Sequence, residues 1–390
     1  MTAFFNTGLT QQQFLQQYWQ KKPLLIRQAF SDFQSPISPD DLAGLACEPE
    51  IESRLIEEKG ALGPWQVRSG PLTEDDFARL PSTHWTMLVQ DVDKHLPELQ
   101  SLLDPFRFIP DWRRDDLMVS YAPQHGSVGP HTDGYDVFLL QAMGERRWQI
   151  NDKAMTDAAL IEGLDVQILQ EFHPDQSWDL QPGDMLYLPP HIAHHGVALN
   201  DCMTFSFGFR APTKVDMLDA VINAMLERDM GRAHYRDPKL IAAQHAHEIS
   251  QSAVTEIKQL LHDAIDEADS VITSALGRLV TDTKASLVDL AEQRGSDLAT
   301  VEDIALLFEQ DNVLERNVYY RFAWTADDHA GQLFFAGEAY DLDNVEHLAM
   351  LTEKNVLTQI EWLQLNQDEQ SVDLLCRLIS EGGWFWQSVD

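Results

Sequence analysis

The chain has 390 residues, of which 44% are hydrophobic and 23% charged, and its formal net charge is −35. This composition is that of a soluble globular protein with two or three domains. Such an acidic surface repels nucleic-acid phosphates and attracts basic partners, so we expect no direct DNA binding. The sequence has no run of about 18 apolar residues, so we expect no transmembrane helix. The first residues lack the order of a signal peptide, so we expect a cytoplasmic protein that does not enter a membrane.

The first sixty residues predict two helices separated by a short strand. Residues 9–30 begin as an amphipathic helix capped by Thr10 and stopped by Pro23. The apolar run at 24–27 predicts a strand. Residues 38–60 predict a second helix, with Ser38 as its cap.

From about residue 63 to residue 210 the pattern changes to short apolar or alternating runs. They are bounded by Gly, Pro, Asp and Asn, as in "DLMVSYAP", "YDVFLLQAMG", "DMLYLPP" and "MTFSFGF". Many short strands at this spacing predict an antiparallel sandwich or barrel.

After residue 212 helical periodicity returns. The runs "TKVDMLDAVINAMLERDM" and "AVTEIKQLLHDAIDEADSVITSALGRLV" each place apolar residues on one helical face. The pattern supports two interpretations of these helices equally. They form a dimerisation module, or they pack onto the chain's own barrel. The last hundred residues predict helices around a hairpin, "VYYRFAWTAD" and "QLFFAGEAYDL" with "DHAG" as its turn, which is typical of a winged-helix-like domain.

The stretch "GPHTDGYDVF" places His131 and Asp133 two residues apart. Alternate side chains of a strand share a face, so this spacing suits two ligands of one metal ion. About sixty residues later, "LQPGDMLYLPPHIAHHG" ends an apolar strand in three histidines. One of them is a candidate third ligand.

Two histidines and one carboxylate leave coordination positions open, which is typical of non-haem Fe(II) oxygenases. A structural zinc site would prefer four ligands, usually including cysteine, and no cysteine lies within either motif. The residue types therefore favour Fe(II) over zinc.

The segment "LLQAMGERRWQI" offers a cation for an anionic cosubstrate such as 2-oxoglutarate. Arg146 and Arg147 are adjacent, so strand alternation predicts that only one of them faces inward. A buried arginine in an apolar barrel is costly without an anionic partner.

The runs "WRRDDLMVSYAPQHGSVGPHTDGYDVFLLQAMGERRWQI" and "LQPGDMLYLPPHIAHHGVALNDCMTFSFGFRAP", together with "YWQKKPLLIRQAF", resemble the bacterial ribosomal oxygenases. These are JmjC-type Fe(II)/2-oxoglutarate hydroxylases, and the resemblance covers nearly the whole chain. It implies an α+β fold with a double-stranded β-helix, the jelly-roll barrel of the cupin and JmjC proteins. It also implies a JmjC/cupin oxygenase domain over 1–212, a helical dimerisation domain over 213–283 and a winged-helix-like domain over 284–390.

The resemblance implies roles for individual residues. His131, Asp133 and His194 match the metal ligands, with His195 as the alternative to His194. Arg146, fifteen positions after His131, matches the residue that binds 2-oxoglutarate. The pocket positions Tyr121 and Ser206 are matched as cosubstrate-binding residues.

The substrate implied is an arginine of large-subunit ribosomal protein L-sixteen, hydroxylated at its β-carbon by a homodimeric enzyme that uses Fe(II), 2-oxoglutarate and O2. Asp115, Asp116 and Asp136 are candidate carboxylates for the substrate guanidinium. Three other functions stay open: a methyl-lysine demethylase, a non-catalytic cupin-like binding protein, and a zinc or iron hydrolase.

Overall fold

The structure, a computed structural model, describes residues 2–58, 65–156, 158–164, 166–210, 212–242, 245–327 and 331–388. Two compact units are present, Met1–Ala211 and Pro212–Asp390. The division of the second unit at residue 283 stays a prediction. Among the described residues, no helix is long and apolar enough to cross a membrane.

The first unit is built mainly from antiparallel strands. Its strands are β1 (Ala3–Phe4), β2 (Leu9–Thr10), β3 (Leu24–Ile26), β4 (Ser53–Glu58), β5 (Trp65–Ser69), β6 (Trp85–Val89), β7 (Arg114–Ala122), β8 (Asp136–Met143), β9 (Arg146–Ala154), β10 (Gln176–Leu180), β11 (Met185–Leu188), β12 (Ile192–Ala198) and β13 (Cys202–Phe209). Its helices are α1 (Gln11–Gln17), α2 (Pro39–Cys47), α3 (Glu74–Ala78) and α4 (Val92–His95). Eight strands form one sheet in the order β3-β11-β8-β13-β7-β6-β4-β5, and β10-β9-β12 form a second. This is the jelly-roll barrel that the sequence predicts.

Both faces of the large sheet are covered at β8, so every residue of this strand except Met143 is buried. Val137 and Leu139 point towards the small sheet and pack with residues of β9 and β12. Phe138 and Leu140 point the opposite way, into a larger core that includes Phe14 of α1. The face of β8 that carries Val137 and Leu139 therefore borders the space between the two sheets, and we call it the inner face.

The N-terminal helices are shorter than the periodicity predicts. Thr10 caps α1 as expected, but α1 ends at Gln17. Gln20 has a positive φ and donates its backbone N–H to the Tyr187 hydroxyl, so a tertiary contact bends the chain before Pro23. Ser38 caps α2, which ends before Pro49. The prediction of helix up to residue 60 is wrong, because residues 53–58 form β4.

The second unit contains α5 (Lys214–Glu227), α6 (Gln251–Glu267), α7 (Asp269–Thr281), α8 (Val288–Glu292), α9 (Val301–Glu309), α10 (Val345–Glu353), α11 (Gln359–Leu365) and α12 (Glu369–Ser380). Its strands are β14 (Asn312–Arg316), β15 (Phe322–Ala326), β16 (Gly331–Phe335), β17 (Glu338–Asp341), β18 (Val356–Leu357) and β19 (Trp384–Ser388). The predicted hairpin is a three-stranded meander, because the chain turns back at Ala336 and Gly337, both with positive φ. The "DHAG" turn falls on residues 328–331, of which 328–330 lie outside the described residues.

The predicted apolar face of α5 divides between two environments. Met225 packs against α7 residues such as Val271 and Ala275. Leu218, Ile222 and Leu226 are exposed in the chain. The second long run forms α6 and α7, with the chain turning at Ala268 between them.

Candidate metal centre and cosubstrate cavity

His131 and Asp133 lie in the segment that leads into β8. His131 forms an isolated antiparallel bridge with His194 of β12. The backbone N–H of each residue donates to the carbonyl of the other, over 3.0 and 2.9 Å. The main chain therefore holds the HxD segment against the strand that carries the third histidine.

The structure brings His131, Asp133 and His194 together. One nitrogen or oxygen atom from each lies within 4.8 Å of the others. The Asp133 carboxylate lies 3.5 Å from Nε2 of His194 and 3.9 Å from Nε2 of His131. These three atoms can meet one metal ion.

Both imidazoles are oriented by the backbone. Nδ1 of His131 donates to the Gly129 carbonyl and Nδ1 of His194 to the Ile192 carbonyl, each over 2.9 Å. A carbonyl oxygen only accepts, so Nδ1 carries the proton and Nε2 keeps its lone pair for a metal. Burial and the neighbouring His131 lower the pKa of His194 to about 4, so its imidazole is neutral at physiological pH.

His194 and His195 lie on opposite faces of β12. His194 is opposite Ile150 of β9 and is buried on the inner face. The His195 ring points away from the cluster, and its centroid is 6.0 Å from that of Phe172. His194 is therefore the β12 histidine that lies beside Asp133, and His195 lies outside the group of His131, Asp133 and His194.

A cavity of about 420 Å³ opens beside this cluster, between the two sheets. Its walls include Met118 of β7, Thr204 of β13, and Arg146 and Trp148 of β9. The cavity is large enough for a small cosubstrate together with a substrate side chain.

Arg146 and Arg147 separate as strand alternation predicts. Arg147 is on the outer face and forms a bidentate pair with Asp179. Arg146 is 3% exposed, and its Nε and Nη2 atoms are buried without a hydrogen-bond partner. A guanidinium buried in this way is a strong indication of an anionic ligand, since an unpaired buried cation is costly.

The two pocket positions behave differently. Ser206 of β13 lines the cavity. Tyr121 does not, because β7 turns alternate residues inward and presents Ser120 there. The Tyr121 ring packs on the opposite face of the sheet, with its centroid 5.5 Å from that of Trp85. This corrects the expectation that Tyr121 contacts the cosubstrate.

Of the three candidate carboxylates, only Asp116 lines the cavity. Its carboxylate accepts the backbone N–H of Asp91 over 3.3 Å. Asp115, the preceding residue of β7, is not among the residues that line the cavity. Asp136 is fully buried, where it accepts from the Tyr187 hydroxyl over 2.6 Å. Asp136 therefore lies in the protein interior beside Tyr187 and not at the cavity mouth.

The donor set fits the cofactor and cosubstrate expected from the sequence. Two imidazole nitrogens and one carboxylate oxygen match the ligand preference of Fe(II) and leave positions for further ligands. The unpaired Arg146 guanidinium fits the distal carboxylate of 2-oxoglutarate. Trp148 also lines the cavity, and its position two residues after Arg146 on one strand is the signal in the sequence that predicts this shared face.

Comparisons with known proteins show relatives that share the sequence and the fold of this chain. A family model described as the JmjC domain matches residues 101–217. The chain is 32% identical to the ribosomal protein uL16 3-hydroxylase of Escherichia coli over 374 residues, covering 96% of this chain and 97% of that protein. A crystal structure of E. coli YcfD aligns with a TM-score of 0.82 and 30% identity, covering 97% of this chain and 99% of the other.

A further structure shows YcfD, described as a ribosomal oxygenase from E. coli, in complex with cobalt and 2-oxoglutarate. It aligns with a TM-score of 0.78 and 29% identity over 98% of this chain and 99% of that one. The extent of these matches establishes that this chain belongs to the ribosomal oxygenases, a family of JmjC-type oxygenases that use Fe(II), 2-oxoglutarate and O2.

Proposed function

We propose that this chain hydroxylates the β-carbon of an arginine in ribosomal protein uL16, the L-sixteen protein of the large subunit. Its E. coli relative is named a ribosomal protein uL16 3-hydroxylase. The observation that carries the proposal is one cavity that joins a two-histidine, one-carboxylate cluster to a buried, unpaired arginine. A binding protein or a simple hydrolase has no need for that pair of features.

In this function His131, Asp133 and His194 hold Fe(II), and the hydrogen bonds at both Nδ1 atoms keep the Nε2 atoms directed at it. When bound, Fe(II) with O2 and 2-oxoglutarate supplies the oxidising power for C–H hydroxylation, releasing succinate and CO2. The protein supplies position, a dry cavity and the charge that holds the cosubstrate.

Arg146 receives the distal carboxylate of 2-oxoglutarate, with Ser206 as a second cavity donor. The cation has no protein partner at Nε or Nη2, so binding an anion relieves an electrostatic cost already present in the folded chain. Charge-assisted bonds to guanidinium are among the strongest available in a protein.

Two features support an arginine substrate. Asp116 places a carboxylate in the cavity wall, held by the Asp91 N–H, and Met118 places an apolar side chain two residues along the same strand face. A guanidinium prefers a carboxylate, and its methylene stem prefers an apolar wall. The net charge of −35 also favours encounter with a basic ribosomal protein.

The test is incubation of the protein with Fe(II), 2-oxoglutarate, O2 and purified uL16, followed by peptide mass mapping. We expect one added oxygen atom on a single arginine, with equimolar succinate. Loss of a methyl group from a methylated lysine would instead favour the demethylase. Turnover without O2 would favour a hydrolase, and no succinate under any condition would favour a binding protein.

We also infer that the chain forms a homodimer through α5 and α6, in the cytoplasm where ribosomal proteins are made. Apolar side chains follow one another at helical spacing on the exposed side of each helix: Leu218, Ile222 and Leu226 on α5, and Ile257, Leu261 and Ile265 on α6. Monomers rarely expose an apolar stripe of this length, and a second copy presents a matching one. The acidic C-terminal region remains predicted not to bind DNA.

A further inference from the structure

The indole of Trp148 has no explanation in the roles assigned so far. Trp148 is 4% exposed, yet its Nε1 donor has no hydrogen-bond partner. An indole N–H that is buried in a folded protein is normally paired, because leaving it unpaired costs free energy. Its residue lines the same cavity as Arg146.

Trp148 lies between the two ends of the cosubstrate site. Its ring centroid is 5.8 Å from the ring centroid of His194 and 5.7 Å from Cζ of Arg146. The three residues share the inner face, since Arg146 and Trp148 alternate along β9 and His194 lies opposite Ile150 on β12. A molecule that meets the metal at one end and Arg146 at the other must pass the indole.

The backbone of β12 contacts the indole ring and fixes its position. Gly196 is directly opposite Trp148, and a Cβ there would lie 2.7 Å from Cη2 of the indole. The six-membered ring therefore rests on the glycine backbone. This contact restricts rotation of the indole, so the ring cannot easily turn to bring Nε1 to another acceptor.

We propose that Trp148 is a further cosubstrate-binding residue, whose Nε1–H donates to the distal carboxylate of 2-oxoglutarate beside Arg146 while its ring covers the methylene stem. This inference rests on the proposed function, because it assumes that 2-oxoglutarate occupies the cavity. A carboxylate has lone pairs for a third donor beyond a bidentate arginine. Three buried donors, Nε and Nη2 of Arg146 and Nε1 of Trp148, would then be satisfied by one ligand.

The test measures binding of 2-oxoglutarate to the full-length protein loaded with Zn(II), which cannot support turnover. Calorimetry gives the dissociation constant for wild type, Trp148→Phe and Trp178→Phe. Trp178 is the matched control, because it lies opposite Trp148 on β10 and packs on the same core without lining the cavity. We expect Trp148→Phe to weaken binding about tenfold and Trp178→Phe to leave it unchanged.

A second measurement follows the wild-type protein itself and uses the variant only to assign one resonance. The chain has ten tryptophans, and the indole N–H resonance of Trp148 is assigned in a ¹H–¹⁵N spectrum by its loss in Trp148→Phe. We expect 2-oxoglutarate to move this resonance downfield in wild type while that of Trp178 stays in place. If wild type binds 2-oxoglutarate but the Trp148 resonance does not move and Trp148→Phe binds equally well, this inference is overturned and the proposed function stands. If wild type binds no 2-oxoglutarate, both are overturned.

Discussion

The indole of Trp148 lies on the backbone of Gly196, so closely that a methyl group at residue 196 would come within 2.7 Å of Cη2. The contact joins β9, which carries the arginine of the cavity, to β12, which carries the histidine of the metal cluster. One glycine therefore sets the distance between the two halves of the site.

Gly196→Ala is expected to displace the indole and destabilise the fold by about 1–3 kcal/mol, since the added methyl group overpacks a dense region. Thermal unfolding measures the stability, and 2-oxoglutarate binding measures the site. Gly44→Ala on α2 is the control, because its added Cβ meets no atom within 4 Å apart from its chain neighbours and its own helix backbone. That variant should be neutral or slightly stabilised. Equal stability of both variants would contradict the close packing.

Replacing a proposed metal ligand should remove turnover without unfolding the chain. His131→Ala, Asp133→Ala and His194→Ala are each expected to reduce succinate formation by more than the roughly 10–100-fold loss typical of outer-sphere partners. Binding of Co(II), followed by its visible absorption, reports the site itself. His195→Ala is the matched control and should retain metal binding. A variant at His194 with full activity would refute the ligand assignment.

Arg146→Ala should raise the concentration of 2-oxoglutarate required for half-maximal rate by about 10–100-fold, because a charge-assisted hydrogen-bond pair is lost. The comparison is Arg147→Ala, which removes the same side chain from the outer face, where it pairs with Asp179. Initial rates at varied 2-oxoglutarate measure both. An unchanged dependence in Arg146→Ala would show that another residue binds the distal carboxylate.

Substitutions on the exposed stripe of α5 should convert the dimer into monomers. Ile222→Asp and Leu226→Asp each place a charge in the proposed apolar interface and should weaken association by about tenfold or more. Light scattering after size-exclusion chromatography gives the mass. Asn223→Asp adds a charge to the same helix outside the stripe and should leave the dimer intact. A monomeric wild type at micromolar concentration would exclude this interface.

Glu361 gives the second unit a predictable response to acid. Burial acts to raise its pKa, but hydrogen bonds from Lys354 and Thr358 outweigh burial and lower it to about 2, below the ordinary value of 4.5. The stabilisation from its charge is therefore complete above pH 4.5 and is lost as the pH falls towards 2.

Glu361→Gln should cost about 1–2 kcal/mol at pH 7 and much less at pH 2–3, because glutamine keeps an acceptor for the capping box of α11 but loses the charge that strengthens the bonds from Lys354 and Thr358. Chemical unfolding at several pH values measures the difference. Glu353→Gln, an exposed glutamate at the end of α10, is the control and should show no comparable pH dependence.

Much of the barrel follows from local pattern. Short apolar or alternating runs, with the turn residues that bound them, place β7, β8, β11 and β13 close to their observed limits. The pattern is least informative where a tertiary contact competes with it. Helix periodicity in the sequence continues past Gln17. The helix nevertheless ends there, because the backbone N–H of Gln20 donates to the Tyr187 hydroxyl. Residues 53–58 have no unique local preference and become a strand because β5 and β6 pair with them.

The sequence by itself determined the residue types of the site: an HxD pair, histidines after a buried strand, and an arginine on a strand whose neighbour must face outward. It left open which of His194 and His195 joins that pair, and it placed Tyr121 and Asp136 too near the site. Only the tertiary structure decided these points. The register of β12 against β9 shifts between Ile192 and His194, so an irregularity in strand pairing sets which face each later residue takes. Counting residues along one strand cannot reveal such a shift, because it arises from the partner strand.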